Sequence, residues 1–569
     1  GNSVEQARPR PEDRVDGRAR DAAGLSDPLD PNGFCGRLAE RLEDRVDDPG
    51  ARAFGLRGPG ALLVGTGCHG VILPSPDTLS VEVLHYSDML SDESGAEMSS
   101  SRIDEFEVVV VGAGPGGMAA AVTLASRGVE TLVIERRTAI SHLPRATVAS
   151  TGTMELLRRW GLEEAAWQRS LDVEWTAWAC PTLADARHGE AIEVGMPTRG
   201  QAALISPSRP ACLPQDELEP LLEEHLATLP TARLERGVEL LSLERLPTGG
   251  FLLSVAGPDG GRRRVRARYV VGADGIRSRV RGNLGIATAG DEHLESRMGV
   301  LFRAPLWPLV GERRHGIYFI TDEPEGRAFI PAGGGDRWIF ATGASEEAEL
   351  SDSRAQEQIR SAAGDRSLPV EIIQARSVSF GVAIAERFRE GDAFLVGDAA
   401  HRVTPRGGTG LNTAMRDGFD LGWKLAWVLR GWAGEELLDS YEAERRPVAE
   451  HNTERSSRPD GSILGTGIGL SADLGGRIPH VWVARGEGLV STLDLLGDAL
   501  TLLAGPAWEG AVPPSAAPLR VERLDAIAAH ALGLSASGTL LVRPDGRPVA
   551  LHSDRDLFDM TRERSAHAR

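Results

Sequence analysis

The chain's apolar residues fall into short runs and longer periodic stretches, and their order predicts an architecture. Phe106-Glu107-Val108-Val109-Val110-Val111 is a β-branched run of the buried-strand type. An Ala-rich helical stretch from Met118 to Ser126 ends near Gly128, and Thr131-Leu132-Val133-Ile134 forms a second strand, completing a βαβ unit. Gln215 to Leu226 sets Leu218, Leu221 and Leu222 on one helical face, while Arg268 to Gly272 and Ala393 to Val396 read as further buried strands. Between Met298 and Ala385 the period shortens. Alternating strands such as Arg314 to Ile320 and Arg337 to Ala341, separated by Gly- and Pro-rich turns, predict an antiparallel sheet inserted in an α/β framework. After Arg446-Pro447 comes a polar, glycine-containing stretch to Gly476, and Leu540 to Val549 reads as strand, turn, strand. Residues 1–100, rich in Arg, Asp, Gly and Pro with weak periodicity, read as a disordered or mis-assigned N-terminal extension.

At 569 residues the chain has room for several domains. Eighty-two acidic against 63 basic residues give a net charge of -19, which excludes the clustered positive charge that nucleic-acid binding requires. Lys424 is the single lysine, so lysine chemistry has almost no place here. Cys35, Cys68, Cys180 and Cys212 show no metal-ligand or disulfide-framework spacing, so no metal is expected and a reducing, cytoplasmic location is. No charge-free apolar run reaches the roughly 18 residues of a membrane helix.

The chemistry concentrates in a few motifs. Gly112-Ala113-Gly114-Pro115-Gly116-Gly117 sits between the first strand and its helix, with Glu135 at the end of the second strand. In that context Gly112 allows the tight turn, Gly114 lets the backbone approach a pyrophosphate, Gly117 lets helix pack on strand, and Glu135 stands where a carboxylate accepts from ribose hydroxyls. Asp398, after Gly397, emerges at the carboxyl end of a buried strand. Pro405, Arg406, Gly407, Gly408, Thr409, Gly410, Leu411 and Asn412 form a glycine-rich loop entering a helix that carries Met415, Leu421, Leu425 and Val428. Gly465-Thr466-Gly467-Ile468-Gly469 has no strand before it and reads as linker, so no second dinucleotide unit is expected.

Glu135-Arg136-Arg137, Pro144-Arg145-Ala146, Gln215-x-x-Leu218-Glu219, Val271-Gly272-Ala273-Asp274-Gly275 and Val396-Gly397-Asp398-Ala399-Ala400-His401 follow one another in an order that resembles the FAD-dependent aromatic hydroxylases, single-component flavoprotein monooxygenases of the p-hydroxybenzoate hydroxylase type. Within that family the chain is most similar to tailoring hydroxylases of aromatic polyketide pathways. The resemblance spans Phe106 to about Val448. It implies an α/β fold in which a Rossmann-type FAD-binding domain (101–170, 209–290 and 387–455) carries an inserted antiparallel-sheet substrate domain (171–208 and 291–386). A linker and a C-terminal thioredoxin-like domain without redox cysteines would follow over 456–569. It also implies noncovalent FAD, NAD(P)H as a transient reductant, O₂, and a polycyclic aromatic substrate hydroxylated through a C4a-hydroperoxyflavin.

By the same resemblance Gly112, Gly114, Pro115, Gly117, Glu135, Arg136, Arg145, Gln215, Gly397, Asp398 and the loop Pro405, Gly407, Gly408, Gly410, Leu411 and Asn412 hold the cofactor. Asp398 would take the ribityl hydroxyls, the loop would face the flavin N1 and C2 carbonyl, and Asp274-Gly275 would touch both FAD and NAD(P)H. A homodimer is compatible with the family. The general base is left open. Tyr318 is either a phenol relay or a sheet residue, His401 follows the flavin-binding aspartate, and Arg406 is either a substrate or cofactor contact or a surface side chain. Trp175, Trp178, Trp307 and Trp338 are candidates for a flat aromatic pocket and equally for the core. An FAD-dependent oxidase or dehydrogenase of a natural-product pathway on the same scaffold is the alternative reading.

Overall fold

The computed structural model describes residues 103–322, 326–343, 351–461, 466–512 and 514–549; the expectation for residues 1–100 lies outside them. The β-branched run is the centre of a largely parallel sheet. Strand Asp104–Val111 lies between Arg262–Gly272 and Thr131–Glu135, with Ala232–Arg236 beyond the latter and Ala393–Leu395 beyond the former, all parallel to their neighbours. Val108 to Val111 pair with Thr131 to Ile134 on one side and with Tyr269 to Gly272 on the other, and are almost completely buried. Burial on both faces explains why the run is continuously apolar instead of alternating.

Arg262–Gly272 is longer than the buried run Arg268 to Gly272 suggests. Its first half alternates exposed arginines with buried Val265 and Ala267 and pairs antiparallel with Phe251–Ala256, which in turn pairs with Glu239–Arg245. One-sided burial gives that half a period of two, so a search for a continuous apolar run stops short of it.

The second sheet runs Glu371–Phe380, Glu295–Arg303, Arg337–Thr342, Arg327–Pro331, His315–Ile320, Glu174–Cys180, Glu190–Ile192. It is not wholly antiparallel: His315–Ile320 runs parallel to Glu174–Cys180, joining two segments distant in sequence. Its inner face buries Phe302, Tyr318, Phe329, Trp338 and Phe340 beside Ile359 of helix Asp352–Ala363.

The linker expected from residue 456 is corrected in part. Helix Asp439–Ser457 continues through Pro447, and helix Thr466–Leu474 lies within the stretch expected as linker. Pro447 forfeits one backbone hydrogen bond, but Arg445 is anchored to Asp417 at 2.7 Å and Arg446 to Glu442 at 2.6 Å on the turn before it. Helix Thr466–Leu474 is held at its end by Asp473, which accepts from the Ser150 hydroxyl and, at 2.9 Å, from the Gly152 N–H. Beyond it, hairpin Trp482–Arg485/Gly488–Ser491 and a small mixed sheet centred on Leu500–Ala504 surround a core of their own that includes Val483, Leu503 and Val542. Among the described residues no helix is long and apolar enough to cross a membrane.

Candidate active site

At the carboxyl ends of the parallel strands a cavity of about 800 Å³ opens between the two sheets, in the crevice where open α/β sheets bind ligands. Strand Asp104–Val111 reaches it through Gly112, whose φ of 107° is available to glycine. A Cβ on Gly112 would lie 2.4 Å from the Ala273 carbonyl, and one on Gly117 2.0 Å from the Gly112 carbonyl, so two strand ends and a helix converge as no larger residue would allow. Gly114 faces open space. Helix Pro115–Ala125 begins on Gly114 with neither a side-chain cap nor an acid in its first turn. Helix Gly410–Leu429 likewise begins uncapped at Thr409. Both helix ends therefore offer unsatisfied N–H groups and a positive dipole to the same cavity.

Of the residues singled out in the sequence, Gly112, Gly114, Pro115, Glu135, Arg136, Arg145, Gln215, Asp274, Gly397, Asp398, Pro405, Gly407, Gly408, Gly410 and Leu411 border this cavity. The Glu135 carboxylate accepts from the Ala113 and Arg137 N–H groups, each at 2.9 Å. Gln215 donates to Glu219 at 2.7 Å. Asp398 opens onto the cavity, and enclosure by the fold pushes its carboxyl up against the opposing pull of His401 and Arg145. Burial lowers the Arg145 guanidinium, and Arg137 adds to the effect. Asp274 uses its carboxylate to cap the short helix Arg279–Asn283, accepting from the Arg279 and Val280 N–H groups at 2.6 and 3.1 Å.

The remaining candidates, Trp175 apart, stand elsewhere. Gly117 and Asn412 stand behind the cavity wall. Asn412 accepts from the Ser150 N–H at 2.8 Å and the Thr153 hydroxyl at 2.7 Å and donates to the Gly408 carbonyl at 2.8 Å, stapling the glycine loop to the chain at Ser150. Arg406 turns away to pair with Glu295 and to meet the Ser456 and Ser457 carbonyls at 3.4 Å, so it is neither a cavity contact nor a free surface base. Tyr318 is wholly buried in the second sheet. Its hydroxyl donates to the Arg313 carbonyl at 2.7 Å and accepts from the His315 N–H at 2.9 Å, and burial pushes the phenol up, all of which removes it as a proton relay. Trp175 alone of the four tryptophans borders the cavity; Trp178 stacks on His315 at 4.7 Å and Trp307 meets Trp338 at 4.5 Å.

Sequence reasoning passed over Asp417, which lies beneath Gly397 and Asp398. It is fully buried, accepts from the Gly397 N–H at 3.1 Å, and bonds His401 Nε2 at 2.6 Å and Arg445 Nε at 2.7 Å. His401 thus points away from the cavity, into this pair. Burial drives the Asp417 carboxyl up, but His401 and Arg445 outweigh it and hold it below the usual range. Charged residues interrupting an otherwise apolar helix were the available signal. Gly418 was missed as well: a Cβ there would lie 2.1 Å from the Gly116 carbonyl, so it sets the close approach of the two helices whose ends face the cavity.

The cavity has two characters. Glycine loops and Arg136, Arg137, Arg145 and Arg376 form a polar part, while Val148, Trp175, Val194, Met196, Ile317, Ile330 and Ile339 form an apolar part against the second sheet. The family model for the FAD binding domain matches residues 105–456, and that for the aromatic-ring hydroxylase C-terminal region matches 471–567. The chain belongs to the FAD-dependent aromatic-ring hydroxylases. The residues present fit the cofactor: an open glycine turn, two uncapped helix ends and the Glu135 carboxylate border one cavity. The chain is 32% identical to the tetracenomycin A2 monooxygenase-dioxygenase of Streptomyces glaucescens, over 78% of this chain and 92% of the relative. It is 35% identical to the aklavinone 12-hydroxylase RdmE of Streptomyces purpurascens, over 78% and 94%. Among solved structures, aklavinone-11 hydroxylase with FAD and aklavinone matches at a TM-score of 0.70 and 30% identity, covering 81% of this chain and 99% of that one. The flavin-dependent monooxygenase PieE with FAD and substrate matches at 0.72 and 26%, covering 82% and 99%.

Proposed function

We propose that this hydroxylase acts on an electron-rich, polycyclic phenol or quinone of the aromatic polyketide kind, which lies against Val148, Trp175, Met196, Ile317, Ile330 and Ile339. The single observation that carries this reading is the division of one cavity into a glycine- and arginine-lined part and an apolar part. A cavity of about 800 Å³ is large for a substrate pocket, where roughly 300–1,000 Å³ is usual, and suits a cofactor and a flat multi-ring molecule together. The named substrates of relatives, aklavinone among them, support it.

FAD, when bound, supplies the redox chemistry, taking hydride from NAD(P)H and activating O₂. The residues of the chain bind, orient and shield. Glu135 accepts ribose hydroxyls and Asp398 the ribityl hydroxyls, while the Gly114–Gly117 helix end faces the pyrophosphate. The N–H groups of the Gly407–Leu411 loop and the uncapped end of the long helix would hold the flavin ring and favour negative charge there. Arg145 and Asp274-Gly275 meet the nicotinamide nucleotide as it docks, and the apolar wall keeps water from the reacting oxygen. Asp417, His401 and Arg445 position Gly397 and Asp398 from beneath. Residues 101–170, 209–290 and 387–455 would serve the cofactor and 171–208 with 291–386 the substrate. The segment 456–569 would serve as a thioredoxin-like module without redox chemistry, since no cysteine follows Cys212. Cytoplasmic location and self-association as a dimer complete the reading.

The test is a panel of polycyclic and single-ring phenols offered with NADPH or NADH to the FAD-loaded enzyme. Polycyclic phenols are expected to accelerate nicotinamide oxidation and to give a hydroxylated product, and single rings to do neither. The reverse ranking would overturn the substrate class.

A further inference from the structure

A second cavity, of about 40 Å³, shares Met196, Gly407, Gly408 and Thr409 with the first and is otherwise walled by residues that do not border the first, among them Arg416, Arg445, Asn452, Arg455 and Asp473. One water needs roughly 10–15 Å³, so there is room for a monatomic ion with a water or two and none for an organic ligand.

Its charges do not balance. Arg445 is matched by Asp417 at 2.7 Å. Arg416, 8% exposed, donates from Nε to the Asp473 carbonyl at 3.1 Å. Its Nη2 makes no hydrogen bond and stands 3.7 Å from Glu155, whose carboxylate is already held by Arg477. Arg455, 7% exposed, donates only to backbone carbonyls, Gly461 at 2.9 Å and Val194 at 3.4 Å, and pairs with no carboxylate among the described residues. The Asp473 carboxylate also lines the cavity, but both its oxygens are taken, one by the Ser150 hydroxyl and one by the Gly152 N–H. Arg416, Arg445, Arg455 and Arg477 therefore face Glu155, Asp417 and Asp473, which leaves one positive charge unmatched. A water would satisfy Arg416 Nη2 but not the charge of Arg455, and a buried, unpaired cation calls for a counter-ion.

We propose that this cavity binds one small monovalent inorganic anion of halide size between the guanidinium groups of Arg416 and Arg455. A Cβ on Gly407 would lie 3.1 Å from the Arg455 guanidinium carbon, so the anion fixes a side chain that packs directly against the glycine loop. Its occupancy then stiffens that loop, whatever the substrate proves to be.

Crystals of the FAD-loaded enzyme soaked in bromide and measured at the bromine edge test this directly. The expected result is an anomalous peak in contact with Arg416 and Arg455. Solvent density alone at that place, or bromide bound only elsewhere as an adventitious ion, would overturn the proposal. In solution, the melting temperature of the FAD-loaded enzyme is expected to rise with chloride over gluconate at equal ionic strength. Arg455→Gln should abolish that difference, and Arg416→Gln serves if the first variant does not fold. Equal melting of the unchanged enzyme in both salts, or an undiminished chloride response in a folded variant, would equally contradict it.

Discussion

Helix Gly410–Leu429 meets two regions that handle buried charge in opposite ways. At its N-terminus, Gly410 and Leu411 open on a cavity where Asp398 and the guanidinium groups of Arg136, Arg145 and Arg376 make no ion pair with described residues. Three turns on, every charge is matched. Lys424, wholly buried, donates to Asp420 at 2.7 Å and Glu444 at 2.9 Å, and Arg543 of the C-terminal segment takes Glu444 at 2.7 Å and also pairs with Asp545. Burial drives the Glu444 carboxyl up, yet Arg543 and Lys424 bring it down to about 2. Saturated charge docks one part of the chain on another. Charge held without a protein partner, on rigid elements around a cavity, waits for a ligand.

The largest effect belongs to the saturated region. Lys424→Met leaves buried Asp420 without its cation beside Glu444, which Arg543 still holds, and should cost about 3–5 kcal/mol in chemical unfolding while FAD affinity stays nearly unchanged. Asp417→Asn strands Arg445 and should cost roughly 3 kcal/mol at neutral pH. Because the folded fold holds the Asp417 carboxyl below its ordinary value, that stability is complete above the usual aspartate pKa of about 3.9 and drains away as pH falls below it. The variant should accordingly show a shallower acid limb in melting temperature against pH, and an unchanged limb would place the acid sensitivity elsewhere. Asp398→Ala should do the reverse of Lys424→Met, weakening FAD by about 10–100-fold in a flavin titration with little change in apoprotein stability. Equal losses of stability in the two variants would erase the contrast. Tyr318→Phe should cost only about 1 kcal/mol of stability and leave turnover intact; a large fall in kcat would restore the phenol as a proton relay.

The same contrast explains what the sequence disclosed. Val108 to Val111, the glycine turn and Glu135 lie within one short βαβ unit, where local periodicity and spacing carry the geometry. Gln215–Leu226 was legible to the residue because its leucines repeat at the helical period. Asp417, His401 and Arg445 come from separate elements, and only tertiary packing joins them. The direction of a single side chain was equally hidden: Arg406 and Asn412 sit in the cavity loop yet point out of it, because Glu295 and the Ser150 N–H, both remote in sequence, claim them. The parallel pairing of His315–Ile320 with Glu174–Cys180 was hidden for the same reason, since alternation along a strand says nothing of its partner's direction.

The partly polar, partly apolar cavity serves oxygen insertion and not hydride removal from the substrate. Turnover of a polycyclic phenol with NADPH or NADH under ¹⁸O₂, followed by product mass, decides it. The expected product is heavier by one labelled oxygen atom and forms only when nicotinamide nucleotide and O₂ are both present. A product lighter by two hydrogens, formed anaerobically in a single turnover without nicotinamide, would contradict it.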